Sequence, residues 1–451
     1  MRFVLAAAAV ALLAAVPAGS AARPTPVALI EKGLAAALAA GRLDADEVAA
    51  YRNDLAHARA ERSTLPPLRA KLLTAVIADV AAQWRSYTKP RALTLFSTLS
   101  VNADWLAGHA LTAPKPDLTG EDGAVYRFFS SHGYVFHPLA NVAKLNSLVS
   151  AGDLEGTEQL AAALLARAVP SRGALLWEYE FPFSTGRPPW TSGMAQAVAA
   201  QALARAGDLL SDPELLDAAD AAYAAVGRLL SPSSPAKPWV ALYSFDRVPV
   251  LNAQLQAALS VGDYAEITGN ADADVFATRM IDAARTLLPR FDTGYWSLYS
   301  LKGDESPLDY HDYVIGLLRK LATRTGDSMW SETADHLRAY EAQPPIVRAL
   351  AAAKTVRVRP KGGHAEPVPI RFWLSKRSTV TVLVAGKRIT ETLGHGRNAI
   401  EWAAGKASPG VYHPILTAVA PGGQAVVALP PITVVRKPDA SLGFTLGQPT
   451  R

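Results

Sequence analysis

Along most of the chain, apolar residues recur three and four positions apart, the spacing of one face of an α-helix. Met194 to Ala206 and Pro213 to Leu229 both show it, and the alanine runs within such segments raise helix propensity. Four segments share one layout: a helix, a Gly-Asp turn and a second helix. The pairs are Gly152-Asp153, Gly207-Asp208, Gly262-Asp263 and Gly326-Asp327, with successive glycines 55, 55 and 64 residues apart. Glycine accepts the left-handed backbone that closes a helix, and aspartate caps the next one through its carboxylate. The spacing therefore predicts helical hairpins that bury their apolar faces on one another. The expected architecture is mainly α: an α/α toroid over residues 23–353, with helices between Val27 and Leu106 as further members. An open solenoid is the alternative.

After about Ala353 the period shortens. The β-branched runs Thr379 to Val384, Asn398 to Trp402, Val411 to Ala418 and Gln424 to Leu429 alternate with turns at Ala385-Gly386, Pro409-Gly410 and Gly422-Gly423. This predicts a small antiparallel β-sandwich, immunoglobulin-like, over residues 354–436, followed by a loose tail over 437–451. At the other end, Met1-Arg2 precedes an apolar run from Phe3 to Val16, then Pro17 and the small residues Ala18 to Ala22. That is the layout of a cleavable secretory signal over residues 1–22, and the run is shorter than the ~20 residues of a membrane span. The expectation is a secreted or envelope-associated protein without a transmembrane anchor.

Composition narrows the chemistry. The 451 residues are enough for two domains, and cysteine is absent, so neither disulfides nor thiolate ligands hold the chain. The net charge is +5, with several basic residues in the C-terminal part (Arg357, Arg359, Lys361, Arg371, Lys376, Arg377). Such a balance suits an acidic glycan or an anionic envelope, although a solvated surface is its ordinary meaning. The basic residues lack the interleaving of a nucleic-acid groove. There is no phosphate-binding glycine loop, no HExxH and no GxSxG. His132 and His137 have no carboxylate at ligand spacing, and no metal or cofactor is expected.

The densest chemistry lies in Phe291 to Asp327, FDTGYWSLYSLKGDESPLDYHDYVIGLLRKLATRTGD. Phe291, Tyr295, Trp296, Tyr299 and Tyr310 offer flat faces for sugar rings, while Asp292, Asp304, Glu305, Asp309, His311 and Asp312 offer hydrogen bonds and protons. Packing alone does not ask for that mixture.

Three elements in order, Trp190-Thr191-Ser192-Gly193-Met194-Ala195-Gln196, Phe291-Asp292-Thr293-Gly294 with Ser297-Leu298-Tyr299-Ser300-Leu301, and Tyr310-His311 before a helix ending Thr325-Gly326-Asp327, resemble the C-terminal catalytic domain of D-glucuronyl C5-epimerases. The likeness runs from about Gly133 to Tyr340. It implies an α/α toroid that inverts C5 of glucuronate within a heparan-type polysaccharide, using tyrosines and a glutamate. It also implies catalytic roles for Tyr299 and Tyr310, and for Tyr243 in Ala241-Leu242-Tyr243-Ser244 ahead of Leu251-Asn252. Leu242 stands where the family has its glutamate.

Removing H5 of a uronate takes a base, a partner for the carboxylate, stabilisation of the enediolate and, for inversion, an acid on the opposite face. Tyrosines serve if neighbouring cations or hydrogen bonds lower their pKa. Arg247 is a candidate carboxylate partner, Asp246 a candidate substitute for the glutamate, and Glu178, Tyr179, Glu180, Trp296 and His311 are candidate substrate contacts. Each also has a packing or solvated reading, and Trp190 and Met194 read as core. A lyase would use the same proton abstraction and expel the group at C4. A hydrolase would need two carboxylates about 5 to 10 Å apart, for which Glu178 or Glu180 could pair with Asp246, Asp309 or Asp312. A non-catalytic glycan-binding envelope protein is the third alternative, with Leu242 in its favour.

Overall fold

The structure, a computed structural model, describes residues 24–111, 116–350, 353–358, 367–404 and 407–436. The expected signal over 1–22, the tail over 437–451, Arg359 and Lys361 lie outside the described residues. The chain divides into two compact units. The first holds α1 (Pro26–Ala39), α2 (Ala45–Thr64), α3 (Pro67–Ala82) and α4 (Lys89–Gly108) together with residues 129–133. Proline in the first turn starts α1, α3 and α4, and a reciprocal Asp44–Glu47 capping box starts α2. Leu34, Leu55, Leu73, Phe96 and Leu99 fill this unit's core, and Tyr51 stacks on Phe96 at 4.5 Å. The helices expected between Val27 and Leu106 thus form, but as a compact unit of their own.

The second unit begins with β1 (Asp117–Thr119), paired antiparallel with β2 (Val125–Phe129). Then come β3 (Gly133–Phe136), α5 (Pro138–Ala151), α6 (Leu154–Ala166), a short antiparallel pair β4 (Val169–Ser171) and β5 (Ala174–Leu176), α7 (Gly193–Leu210), α8 (Pro213–Val226), α9 (Leu251–Thr268), α10 (Ala271–Leu287), α11 (Leu308–Thr325) and α12 (Ser328–Ala339). Helices α5, α7, α9 and α11 pack in sequence side by side, and each carries its hairpin partner α6, α8, α10 or α12. The middle members α7 and α9 are buried on nearly every face, as helices flanked on several sides must be.

Two of the four expected turns are where the sequence puts them. Gly152 and Gly326 are left-handed, and Asp153 and Asp327 cap the next helices. The other two are displaced. Gly207-Asp208 and Gly262-Asp263 lie inside α7 and α9, which turn instead at Ser211-Asp212 and Gly269-Asn270, again a left-handed residue followed by a capping Asp or Asn. The interior glycines serve close packing. A Cβ at Gly262 would sit 2.5 Å from the Arg324 guanidinium, and one at Gly207 would sit 2.8 Å from Leu216.

A second repeat was hidden in the sequence. The fourth residue of each inner helix is a fully buried polar side chain that ties the helix to the segment before it. Asn141 bonds both the N–H and the carbonyl of Val125, at 2.7 and 2.8 Å. Gln196 accepts from Trp177 N–H at 3.0 Å and donates to Leu175 O at 2.8 Å. Gln254 accepts from Val240 N–H at 2.8 Å and donates to Pro238 O and Met280 O at 3.0 and 2.8 Å. In α11 the position is His311. Buried loop backbone must find hydrogen-bond partners, and these side chains supply them.

The C-terminal strands expected to form a β-sandwich are β6 (Val347–Ala349), β7 (Lys354–Val358), β8 (Val368–Leu374), β9 (Ser378–Val384), β10 (Lys387–Leu393), β11 (Gly396–Trp402), β12 (Gly410–Tyr412), β13 (Ile415–Ala420), β14 (Gly423–Ala428) and β15 (Ile432–Arg436). The sheets have the orders β10-β9-β13-β14, β11-β8-β6 and β12-β15-β7. Alternate residues of β8 and β9 point inward, and Phe372, Val382, Ile400, Trp402 and Leu416 meet in the core. The sandwich differs from expectation in two respects. Its first strand, β6, precedes residue 354 and pairs with β8, and β15 pairs with β7 in parallel. Among the described residues, no helix is long and apolar enough to cross a membrane.

Candidate functional site

The segments entering α5, α7, α9 and α11 all lie at the N-terminal ends of the inner helices, and the candidate chemistry collects there. The loop before α9 is held to the start of α7: Ser244 N–H donates to Thr191 O at 2.8 Å, and Thr191 N–H donates to the Ser244 hydroxyl at 3.1 Å. Before α11 the chain folds into a short hairpin, in which Tyr299 N–H donates to Asp304 O at 2.7 Å and Ser306 N–H donates to Ser297 O at 2.9 Å. The outer edge of that hairpin pairs with residues 249–251, through Leu251 N–H to Tyr299 O at 3.2 Å and Leu301 N–H to Pro249 O at 3.1 Å.

These attachments bring Tyr243, Tyr299 and Tyr310 together. The phenols of Tyr243 and Tyr299 influence one another's ionisation, and the Tyr299 and Tyr310 rings meet edge to face at 5.3 Å. Tyr310 is 39% exposed and forms the open side of the group. Around Tyr243 stand Trp190, Phe183 and Phe245, with centroids 5.7, 5.5 and 5.4 Å away. Tyr179 lies flat against Trp190 at 4.0 Å. This aromatic wall beside phenolic hydroxyls suits a sugar ring.

Burial raises the pKa of both Tyr243 and Tyr299, so the phenols stay protonated at neutral pH. Tyr313, bonded to Gln256 at 2.7 Å, is pushed up to about 12 by burial.

Sequence reasoning missed two ion pairs at this site. Arg127 donates from Nε and Nη2 to both oxygens of Asp117, at 2.8 and 2.9 Å, and its charge acts on Tyr179 and Tyr310. The hydrogen bond from Arg127 holds Asp117 below the usual carboxylate range despite partial burial. Lys302 donates to Asp246 at 2.8 Å from the tip of the Tyr299 hairpin. Burial acts to raise Asp246, but the Lys302 bond and charge, with the N–H groups of Val248 and Arg247, outweigh it and keep the group low. The charge of Asp246 reaches both Tyr243 and Tyr299. Alternation of polar residues through Asp117 to Arg127 was the only sequence signal for the first pair, and a lone basic residue among acids at Lys302 was the signal for the second.

Other candidates are placed differently. Trp296 and His311 are 4% and 0% exposed, stacked at 3.9 Å. His311 Nε2 lies 3.0 Å from Leu337 O and its Nδ1 2.7 Å from the Ser297 hydroxyl, so the ring is neutral with Nε2 carrying the proton, and burial lowers its pKa. Both residues belong to the core, where no sugar reaches them. Tyr179 and Glu180 are buried and Glu178 is half-buried, so Tyr179 backs the wall through Trp190. Arg247 is exposed, and its carbonyl is what Ser231 and Ser233 hold. The cation beside the tyrosines is Arg127 instead. Leu242 is buried in the core, and Asp309 is exposed. Among the described residues, no cluster of three or more His, Cys, Asp or Glu has the arrangement to hold a metal ion.

Residues 172–339 match the family model described as D-glucuronyl C5-epimerase C-terminus. The match bears out the resemblance and starts later than Gly133, leaving α5 and α6 before it. An uncharacterized protein of Methanocaldococcus jannaschii is 29% identical over 168 residues, which is 35% of this chain and 54% of that protein. The chain thus spans about half the length of that curated relative. Among solved structures, a GH76 α-mannanase of Bacteroides thetaiotaomicron overlaps 45% of this chain and 60% of its own at 17% identity, with a TM-score of 0.34. An endoglucanase of Komagataeibacter sucrofermentans overlaps 46% of this chain and 68% of its own at 15% identity, with a TM-score of 0.32.

Proposed function

We propose, from the D-glucuronyl C5-epimerase match over residues 172–339, that this chain is a carbohydrate-active protein that moves a proton at C5 of a uronate within an acidic polysaccharide. Its helical hairpins would belong to an α/α toroid, and with residues 1–22 as an export signal it would act on glycan outside the cell. The observation that carries the reading is the convergence of Tyr243, Tyr299 and Tyr310 in one group beside the Arg127–Asp117 and Lys302–Asp246 pairs.

Each need of the chemistry then has a named group. Arg127 spends two of its N–H groups on Asp117 and offers the rest of its fork to the uronate carboxylate, which draws electrons from C5 and makes H5 more acidic. Tyr243 is the base: its phenol gives its proton to solvent, and the phenolate then takes H5. Asp246, held ionised by Lys302, stands beside both tyrosines in place of the carboxylate that Leu242 lacks. Tyr310, on the open side, returns a proton to the opposite face. Phe245 orients the ring, with the buried Trp190 packed behind it.

Incubation with heparosan-type chains in deuterated water tests this. Solvent deuterium at C5 without chain shortening is the expected result. Unsaturated ends would mean a lyase and new reducing ends a hydrolase. Leu242 favours one other reading, a glycan-binding protein without catalysis, for which saturable binding with no exchange and no cleavage would be the signature.

A further inference from the structure

The hairpin that carries Tyr299 is attached to the β-sandwich as well as to the helices. Glu305 faces Leu298 across the hairpin, next to Tyr299. Its side chain is 3% exposed, and both of its oxygens accept backbone N–H groups of the sandwich. Oε1 accepts from Arg377 N–H at 2.9 Å, in the turn between β8 and β9, and Oε2 from His395 N–H at 2.7 Å, in the turn between β10 and β11. A buried carboxylate taking two N–H groups from separate turns is a fixed joint, since losing either bond strands a charge or a donor away from water.

Neighbouring contacts point the same way. Lys376, beside that first turn, is buried and lies over the Trp296 ring at 5.1 Å. Its amine donates to Tyr340 O at 2.7 Å, Gln343 O at 2.5 Å and Pro421 O at 2.9 Å. Tyr295 packs edge-on against Trp373 of β8 at 5.6 Å. Gly422 touches the helical side so closely that a Cβ there would lie 2.4 Å from the Gln343 carbonyl oxygen. At the far tip of the same hairpin, Lys302 reaches Asp246. The sandwich thus grips the base of an element whose middle carries Tyr299 and whose tip carries Lys302.

We propose that the β-sandwich is a positioning domain for the tyrosine site, with Glu305 as the positioning residue that fixes the Tyr299 hairpin. The role in turnover rests on the proposed function; the mechanical role does not. In the full chain, Glu305→Ala removes both bonds, and Glu305→Gln keeps one acceptor. Hydrogen exchange of amides 297–306 should quicken about tenfold or more in Glu305→Ala and by less in Glu305→Gln, with the cores of α7, α9 and the sandwich unchanged. Deuterium incorporation at C5 should fall about a hundredfold in kcat, with KM nearly constant, as expected for a misplaced catalytic group. If exchange over 297–306 matches that of the parent in a folded Glu305→Gln protein, the proposal is wrong whatever the activity. Quickened exchange in a protein whose parent never labels C5 would leave the brace standing and remove the epimerase reading instead. Should Glu305→Ala fail to fold, Glu305→Gln decides alone.

Discussion

The loops that enter α9 and α11 do the same job by different means. Each brings one tyrosine to the site, Tyr243 in the first and Tyr299 in the second. The first loop is held within the helical layers, by Gln254 under Val240 and by the Thr191–Ser244 exchange. The second needs a neutral imidazole beneath it and the turns of the C-terminal strands beside it, through His311, Glu305 and Lys376. The lesson is that a loop rich in chemical residues divides them by face. In Phe291 to Leu308 the inward face spends Trp296 and Glu305 on anchoring, and only Tyr299 and Lys302 remain for the site.

The sharpest test of this pairing is removal of the hydroxyls. Tyr299→Phe and Tyr243→Phe should each lower the rate of C5 labelling by about 10² to 10⁴, the range for a proton-transfer group, with little change in melting temperature. Because the two phenols act on one another within one group, the double variant should lose far less than the product of the single losses. Full multiplicativity in a measured cycle would mean that the tyrosines act independently and that their grouping has no mechanistic content.

Next in size is the effect of the buried side chains beneath the loops. Gln254→Ala leaves Val240 N–H, Pro238 O and Met280 O without their partner, at a cost of about 3 kcal/mol. His311→Ala strips Ser297 and Leu337 of theirs and opens a void against Trp296, at a similar cost of roughly 3 kcal/mol. Denaturant melts of the full chain measure the totals, and hydrogen exchange locates them. The first change should loosen residues 238–243 and the second 297–306. The loops do touch, through Val250 and Ser300. If Gln254→Ala loosens 297–306 as much as 238–243, they move as one body and the contrast drawn above fails.

Much of this molecule was legible beforehand, for a physical reason that also explains the misses. Hairpins announce themselves because a buried face requires apolar residues at helical spacing, and β8 and β9 because their alternation requires it. The turns at residues 207 and 262 were misplaced because glycine has two uses, a left-handed turn and close packing, and a single sequence does not separate them. His311 looked like a ligand contact because a histidine among acids is chemically conspicuous. Only its alignment with Asn141, Gln196 and Gln254, as the fourth residue of each inner helix, reveals it as part of a structural repeat. Arg127 escaped notice because Tyr179 and Tyr310, on which its charge acts, are distant in sequence, and locally only the polar alternation from Asp117 marks it. The three tyrosines were found through the family pattern and not through their spacing, since residues 243, 299 and 310 come from two loops and a helix.

The smallest expected effect concerns the ion pair that joins the two loops. Lys302 on the second loop holds Asp246 on the first below its ordinary value of 3.8. A group whose folded pKa is depressed contributes stability that is present above its unfolded pKa and lost as the pH falls through the folded one. In the parent protein, then, the Asp246 contribution persists to below pH 3.8, and the acid limb of C5 labelling should lie there too. Lys302→Met removes the first lowering influence and leaves burial to push Asp246 upward. The acid limb should then move to higher pH, while the plateau rate near neutrality changes only a few-fold, because Asp246 is ionised there in either case. An acid limb that stays in place in Lys302→Met would mean that Asp246 is not the carboxylate whose charge the two loops share, and the link between Tyr243 and Tyr299 would then reduce to the backbone pairing of their loops.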